Sequence, residues 1–206
     1  SLQSLKWSTF VGGQLEDAAY SVKVNEQQQV YLTGGTKSRD FPGVSNGWQS
    51  SLKGGVEGYI LKLSANGQQA LAGTYIGSGD FDQSYFVEIG ADEGVFVTGQ
   101  SEGAMPVKNA NYQDPNSGQF ISKFSSDLKE LQLSTTFGSS DGTPDIAPSA
   151  FLVDICGNIY VSGWGGQTNG RGSHSKANFL RNMPITDNAY QTRTDGSDFY
   201  LAVFRK

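Results

Sequence analysis

Paired acids recur in this chain at matching loop positions: Glu16 and Asp17, then Asp80 and Asp82, then Asp141 and Asp145. Asp17 follows Thr9 by eight residues, as Asp82 follows Thr74. Calcium takes six to eight oxygens, so clustered aspartates with backbone carbonyls make Asp17, Asp80 and Asp82 candidate metal ligands. Aspartate and glycine also build turns and side-chain caps at such places, and that plainer role is the expectation, with no cofactor required. Paired carboxyls could hydrolyse a glycosidic bond, but that chemistry needs a set separation across a cleft, which loop spacing does not provide. Gly43-Val44-Ser45-Asn46-Gly47 fits Gly-x-Ser-x-Gly. A nucleophile elbow requires a strand, a sharp turn and a helix around that serine, and this stretch reads as an ordinary loop. His174 is the sole histidine, which removes a histidine-based metal cluster. Cys156 is the sole cysteine, so the chain has no internal disulfide. With Asp154 rather than a base beside it, Cys156 is expected to be a small buried apolar residue next to a turn. No catalytic residue is assigned.

A second candidate site lies in the stretch 167–181, which carries Arg171, His174, Lys176 and Arg181 and no acid. Function concentrates on loops held by a rigid scaffold, and a basic loop in an acidic protein suits binding. Trp164 at its base could stack on a sugar or a side chain, which makes Trp164, Arg171 and His174 the candidate ligand-binding residues and a glycan a candidate partner. The plainer alternative is a tolerated surface insertion with Trp164 packed in the core.

Those loops need elements to hold them, and the elements repeat. Thr9-Phe10-Val11-Gly12 returns as Thr74-Tyr75-Ile76-Gly77 and, more loosely, as Thr135-Thr136-Phe137-Gly138. Val30-Tyr31-Leu32-Thr33-Gly34 returns at Val95–Gly99 and at Ile159–Gly163. Phe41-Pro42, Met105-Pro106 and Met183-Pro184 follow, and then Trp48-Gln49, Tyr112-Gln113 and Tyr190-Gln191. The period is about 64 residues, and the third copy is about 14 residues longer because of the stretch 167–181. The repeats run approximately 8–72, 73–133 and 134–206.

Each repeat reads as four strands. Tyr20–Val24 alternates, with Tyr20, Val22 and Val24 on one face, as a half-buried strand should. Val30–Thr33 is more continuously apolar, which suits burial on both faces. The third strand is Tyr59–Leu63, matched by Phe120–Phe124 and Phe199–Val203. The fourth is Leu5/Trp7/Thr9, then Ala70/Ala72/Thr74, then Leu131/Leu133/Thr135. Ser126–Gln132 reads as a turn into a strand, not a helix. The proline keeps its segment out of a sheet centre, and the apolar residue before it can pin the loop to the core. The predicted fold is all-β: three four-stranded antiparallel repeats of the β-propeller blade kind. The last repeat reaches Lys206 without a fourth strand, while a fourth strand stands at the N-terminus. Propellers use about four to eight blades, so the expectation is an arc completed by other blades of the same polypeptide or by another protein chain.

Composition agrees. Of 206 residues 27 are glycine, against a usual share of about 7%, which suits many short strands and tight turns. The net charge of −5 argues against a nucleic-acid partner. No apolar run approaches the roughly 18–20 residues of a membrane helix, so membrane insertion is not expected. Ser1-Leu2-Gln3-Ser4 does not look like a signal peptide, which leaves a chain without one or a mature or excised piece.

The ordered motifs Ser8–Gly13, Val30–Gly34, Asp40-Phe41-Pro42, Trp48-Gln49 and Tyr59–Leu63 resemble the SBBP-type β-propeller repeat of secreted bacterial proteins. Cys156–Gly166 and Asp195–Tyr200 are similar to the large surface proteins of gliding Bacteroidetes. The second repeat departs from the pattern, with Glu102-Gly103-Ala104-Met105-Pro106 where the family has Asp-Phe-Pro. The resemblance implies secretion, often by the type IX route, a place in a multidomain cell-surface protein concerned with adhesion or gliding motility, and no enzymatic activity. The expected function is therefore a non-catalytic structural or protein–protein interaction module. The alternatives are a carbohydrate-binding or glycan-processing propeller domain and a calcium-dependent module.

Overall fold

A computed structural model describes residues 3–165 and 180–206. The described residues form an all-β protein of three antiparallel sheets, each built from consecutive strands. The first sheet holds β1 (Asp17–Val24), β2 (Val30–Thr36), β3 (Glu57–Leu63) and β4 (Ala70–Ile76) in that order. The second holds β5 (Asp82–Ile89), β6 (Val95–Ser101), β7 (Gln119–Phe124) and β8 (Leu131–Phe137). The third holds β9 (Ala147–Val153), β10 (Ile159–Trp164) and β11 (Phe199–Phe204). β5 lies against the first sheet and β9 against the second, so the sheets stack in chain order.

Pairing fixes the correspondence between repeats. Val30 faces Leu63, Val95 faces Phe124 and Ile159 faces Phe204. The third strand of the last sheet therefore matches at Tyr200–Phe204, one residue later than the expected Phe199–Val203. A one-residue slip turns every side chain to the other face, so the correction decides which residues look inward. Tyr200, Ala202 and Phe204 do, and Phe199, Leu201 and Val203 look out.

Each first strand carries a bulge that leaves one residue out of the ladder: at Tyr20, at Tyr85 and at Ser149. The bulged Tyr20 and Tyr85 rings stack on each other at 5.2 Å between centroids, tying the first sheet to the second. Lys23 and Glu88 add a 2.8 Å ion pair across the same junction.

Apolar residues fill the two junctions. Tyr31, Ile60 and Ile76 of the first sheet pack on Val87, Val95, Val97 and Phe124 of the second. Phe96, Ile121 and Phe137 of the second pack on Phe151, Ile159 and Val161 of the third. A third cluster lies on the far face of the first sheet, where Phe41, Val44 and Val11 cover Tyr59, Leu61 and Tyr75. That far face accounts for one departure from expectation. Val22 and Val24 are exposed, because no sheet covers that side of β1 among the described residues, while Ser21 and Lys23 are half-buried against the second sheet and the bulge turns Tyr20 away from Val22 and Val24 onto Tyr85. The loops are pinned as expected: Phe41, Met105 and Met183 are all buried, and Phe41 packs on Tyr59 with centroids 4.2 Å apart. Residues 44–46 make one short 3-10 turn, and the described residues contain no α-helix.

Candidate functional site

The recurring aspartates hold their loops through hydrogen bonds. Asp17 Oδ2 accepts the Gly13 N–H at 2.8 Å, Asp82 Oδ2 the Ser78 N–H at 2.7 Å, and Asp145 Oδ2 the Ser139 N–H at 2.8 Å. The glycine that ends each Thr-x-x-Gly motif makes this approach possible. A Cβ on Gly12, Gly77 or Gly138 would stand 2.6, 2.6 or 2.5 Å from the carboxylate that closes its loop. Thr36 and Ser38 donate to Asp17, and the Ser78 hydroxyl donates to Asp82. Asp82 is completely buried and Asp145 is 3% exposed, whereas Asp80 stays at the surface. Asp145 also meets Gln119. With its amide carbonyl toward the Asp145 N–H at 2.7 Å, Gln119 donates to Asp145 Oδ2 at 3.2 Å. Burial pushes the Asp145 carboxyl up to about 6, against the pull of its Ser139 bonds. Among the described residues no three His, Cys, Asp or Glu side chains gather in a group that could hold a metal. Asp17 and Asp82 instead receive protein donors that make them loop fasteners.

The aromatic-Gln pairs have a matching task. Gln49 Nε2 donates to Glu57, whose carboxylate also accepts the Lys53 N–H and the Gly54 N–H, the latter at 2.7 Å. Burial raises the Glu57 carboxyl above its ordinary value, opposed by those backbone donors. Gln191 Nε2 donates to Asp198 at 3.2 Å in the third repeat, and it reaches the Arg193 carbonyl as Gln49 reaches that of Ser51. Sequence reading singled out the glutamines and missed their carboxylates, because the separations differ: Gln49 to Glu57 is eight residues and Gln191 to Asp198 is seven. Gln49→Ala should cost about 1–3 kcal/mol by leaving a buried carboxylate one donor short. The denaturation midpoint reads this, and no change would mean that Lys53 and Gly54 hold Glu57 unaided.

Trp164 ends β10, between Ala147 of β9 and Phe199 of β11, and is partly exposed on the outward face of the third sheet. Arg171 and His174 lie outside the described residues. Arg181 lies within them and donates to the Asp195 carbonyl at 3.4 Å. Cys156 is exposed, contrary to the expectation of burial. It stands in a tight turn that the Asp154 carboxylate caps by accepting the Cys156 and Asn158 N–H groups, and Gly157 supplies the φ of 84°. The turn projects the thiol outward. Ser45 sits in the short 3-10 turn, outside any strand–turn–helix setting.

An apolar groove of about 640 Å³ lies between the second and third sheets. Tyr112, Ile121, Leu133, Val203 and Phe204 line it, with Lys123 and Asp92 at its rim. Those two are ion-paired at 2.5 Å, and the Lys123 bond holds the Asp92 carboxyl below its ordinary value. Compared with known proteins, the chain matches no family model and no curated protein.

Proposed function

We propose that this chain is a non-catalytic structural and interaction module, an arc of β-propeller blades that presents loops and sheet surfaces to other proteins. The observation that carries the reading is the threefold use of the loop acids. Asp17, Asp82 and Asp145 each spend a carboxylate oxygen on a backbone N–H of the loop they close. An acid tied to its own loop in every repeat serves the scaffold, and catalysis would need one repeat to break the pattern. The secreted or cell-surface setting, and a part in adhesion or gliding motility, rest on the motif resemblance. Incubation with polysaccharides and nitrophenyl glycosides should give no turnover, and turnover abolished by Asp82→Asn would overturn the reading.

A carbohydrate-binding role is the second reading. It is favoured by the aromatic pair Trp164 and Phe199, which sit opposite each other on an outward face. Glycan-array signal that disappears in Trp164→Ala would support it. An empty array would remove it.

A further inference from the structure

Two buried acids meet where the first sheet joins the second. Glu57 begins β3 and Asp82 begins β5, and both are completely buried. A Cβ on Gly77 would stand 2.6 Å from Asp82 Oδ2 and 2.9 Å from Glu57 Cδ, so the two carboxyl groups share one small space. Among the described residues neither is ion-paired. The charged and titratable groups around Glu57 come from five elements. The strap 50–56, which leads into β3, supplies Lys53, whose ammonium is turned to the Gly77 carbonyl at 3.4 Å and to the Trp48 ring. The loop before β5 supplies Asp80, at the surface, and β5 supplies Asp82. β4 supplies the Tyr75 hydroxyl, and Asp17 of β1 stands beyond Thr36, which faces Glu57 in the ladder. Apart from Lys53 all of them are acids.

Glu57 is what holds the strap down. Its Oε1 accepts the Lys53 and Gly54 N–H groups, and its Oε2 accepts from Gln49 Nε2. Ser50, Ser51, Lys53 and Gly55 are exposed, and Leu52 and Val56 are only half-buried. A protonated Glu57 makes all three bonds, with Oε1 as the carbonyl oxygen and Oε2 as a hydroxyl that still accepts one. An ionised Glu57 makes them too, but it sets a second negative charge beside Asp82 in a place closed to water, which is costly. The junction between the second and third sheets carries a neutral group at the matching place. Gln119 begins β7, and a Cβ on Gly138 would stand 2.5 Å from Asp145 Oδ2 and 3.0 Å from the Gln119 amide. Glutamine is the uncharged isostere of a protonated glutamate, so one junction fixes in sequence the state that the other reaches by holding a proton.

We propose that Glu57 is protonated in the closed protein and that its ionisation lifts the strap 50–56 from the junction, which makes the strap a flap that opens as pH rises. Burial raises the Glu57 carboxyl above its ordinary 4.5, and the charge of Asp82 adds to the rise. With the strap lifted, Glu57 is hydrated and titrates at its ordinary value. Between the two values the open form has lost the proton that the closed form keeps. Each pH unit in that window therefore multiplies the open fraction about tenfold. The strap is closed below the window and loosens as pH climbs through it. Opening is local, because β3 beyond Glu57 stays paired on both sides with β2 and β4.

Carbon-13 NMR of the wild-type chain reads the proton directly, and the Glu57 Cδ signal should titrate above 4.5. Hydrogen exchange reads the strap. Protection factors of the Lys53 and Gly54 amides should fall with rising pH by more than any fall shared by the Ile60 and Leu61 amides of β3. Glu57→Gln should abolish that extra fall, its new amide meeting Gln49 Oε1, a buried oxygen without a partner. Asp82→Asn removes the like charge, so the Glu57 titration should move down toward 4.5. A Glu57 signal that titrates at or below 4.5, or strap amides that follow Ile60 at every pH, would overturn the proposal. So would a Glu57→Gln strap that still loosens with pH, or an Asp82→Asn protein with an unmoved Glu57 titration. If either variant fails to fold, the two wild-type measurements decide.

Discussion

Gly99→Ala is expected to cost about 3 kcal/mol or more, lowering the melting temperature by roughly 6–12 °C for a chain of this size. Gly99 belongs to the Val-x-Val-Thr-Gly motif and pairs with Ser84, beside the bulge at Tyr85. The bulge brings the first strand's backbone toward the second strand. A Cβ on Gly99 would stand 2.0 Å from the Gln83 carbonyl oxygen and 2.7 Å from the Phe120 ring. Neither group can yield cheaply, because the carbonyl is backbone and Phe120 is completely buried. Gly34→Ala should behave alike, with the Ala18 carbonyl oxygen at 1.8 Å. Gly163→Ala should cost less, since its nearest atoms belong to the Ile146 side chain, which can move. Gly55, with nothing within 4 Å of its added Cβ, is the control, and its replacement should stay within about 0.5 kcal/mol. A Gly99→Ala protein that melts with the wild type would refute the account of the motif.

Stability should fall as pH rises from about 4 to 7, and Asp145→Asn should remove much of that fall. The Asp145 carboxyl ordinarily titrates at 3.8, and burial raises it to about 6 in the folded protein. Between those values the unfolded chain has lost the proton and the folded chain keeps it. The contribution is therefore fully present below 3.8 and is lost as pH passes through about 6. A shift of about two pH units corresponds to roughly 3 kcal/mol. Glu57 is also raised by burial and acts in the same direction, so the variant should flatten the profile without levelling it. Asparagine can still accept the Ser139 N–H, which keeps the loop closed. Denaturant midpoints at pH 4.5 and 7.5 measure the effect, and parallel profiles for wild type and variant would exclude Asp145 as its source.

Much of the all-β repetition was legible in the sequence, because each landmark has one physical task that recurs. Phe41, Met105 and Met183 pin loops, and the Val-x-Val-Thr-Gly copies mark second strands, of which β6 is buried on both faces while β2 and β10, in the outer sheets, keep one face only half-buried. The third-strand register of the last repeat was misplaced by one residue. Phe199 and Tyr200 are adjacent aromatics, and only pairing shows which one matches Tyr59. Cys156 was misplaced because polarity alone does not reveal a turn capped by Asp154. Glu57 and Asp198 were missed because contacts made across loops need not keep a fixed spacing. The exposure of Val22 and Val24 follows from what covers a sheet, and a strand's own alternation does not report that.

The third sheet joins its last two strands across residues 165–198, where the first sheet uses residues 37–56 and the second 102–118. Loop-closure entropy grows only with the logarithm of length, so doubling the connection costs about 0.6 kcal/mol. The added chain leaves from Trp164 and returns toward Phe199, which already face each other in the ladder. At this one point the fold absorbs extra sequence almost without thermodynamic penalty, which makes the connection a natural socket for length variation and for grafted peptides.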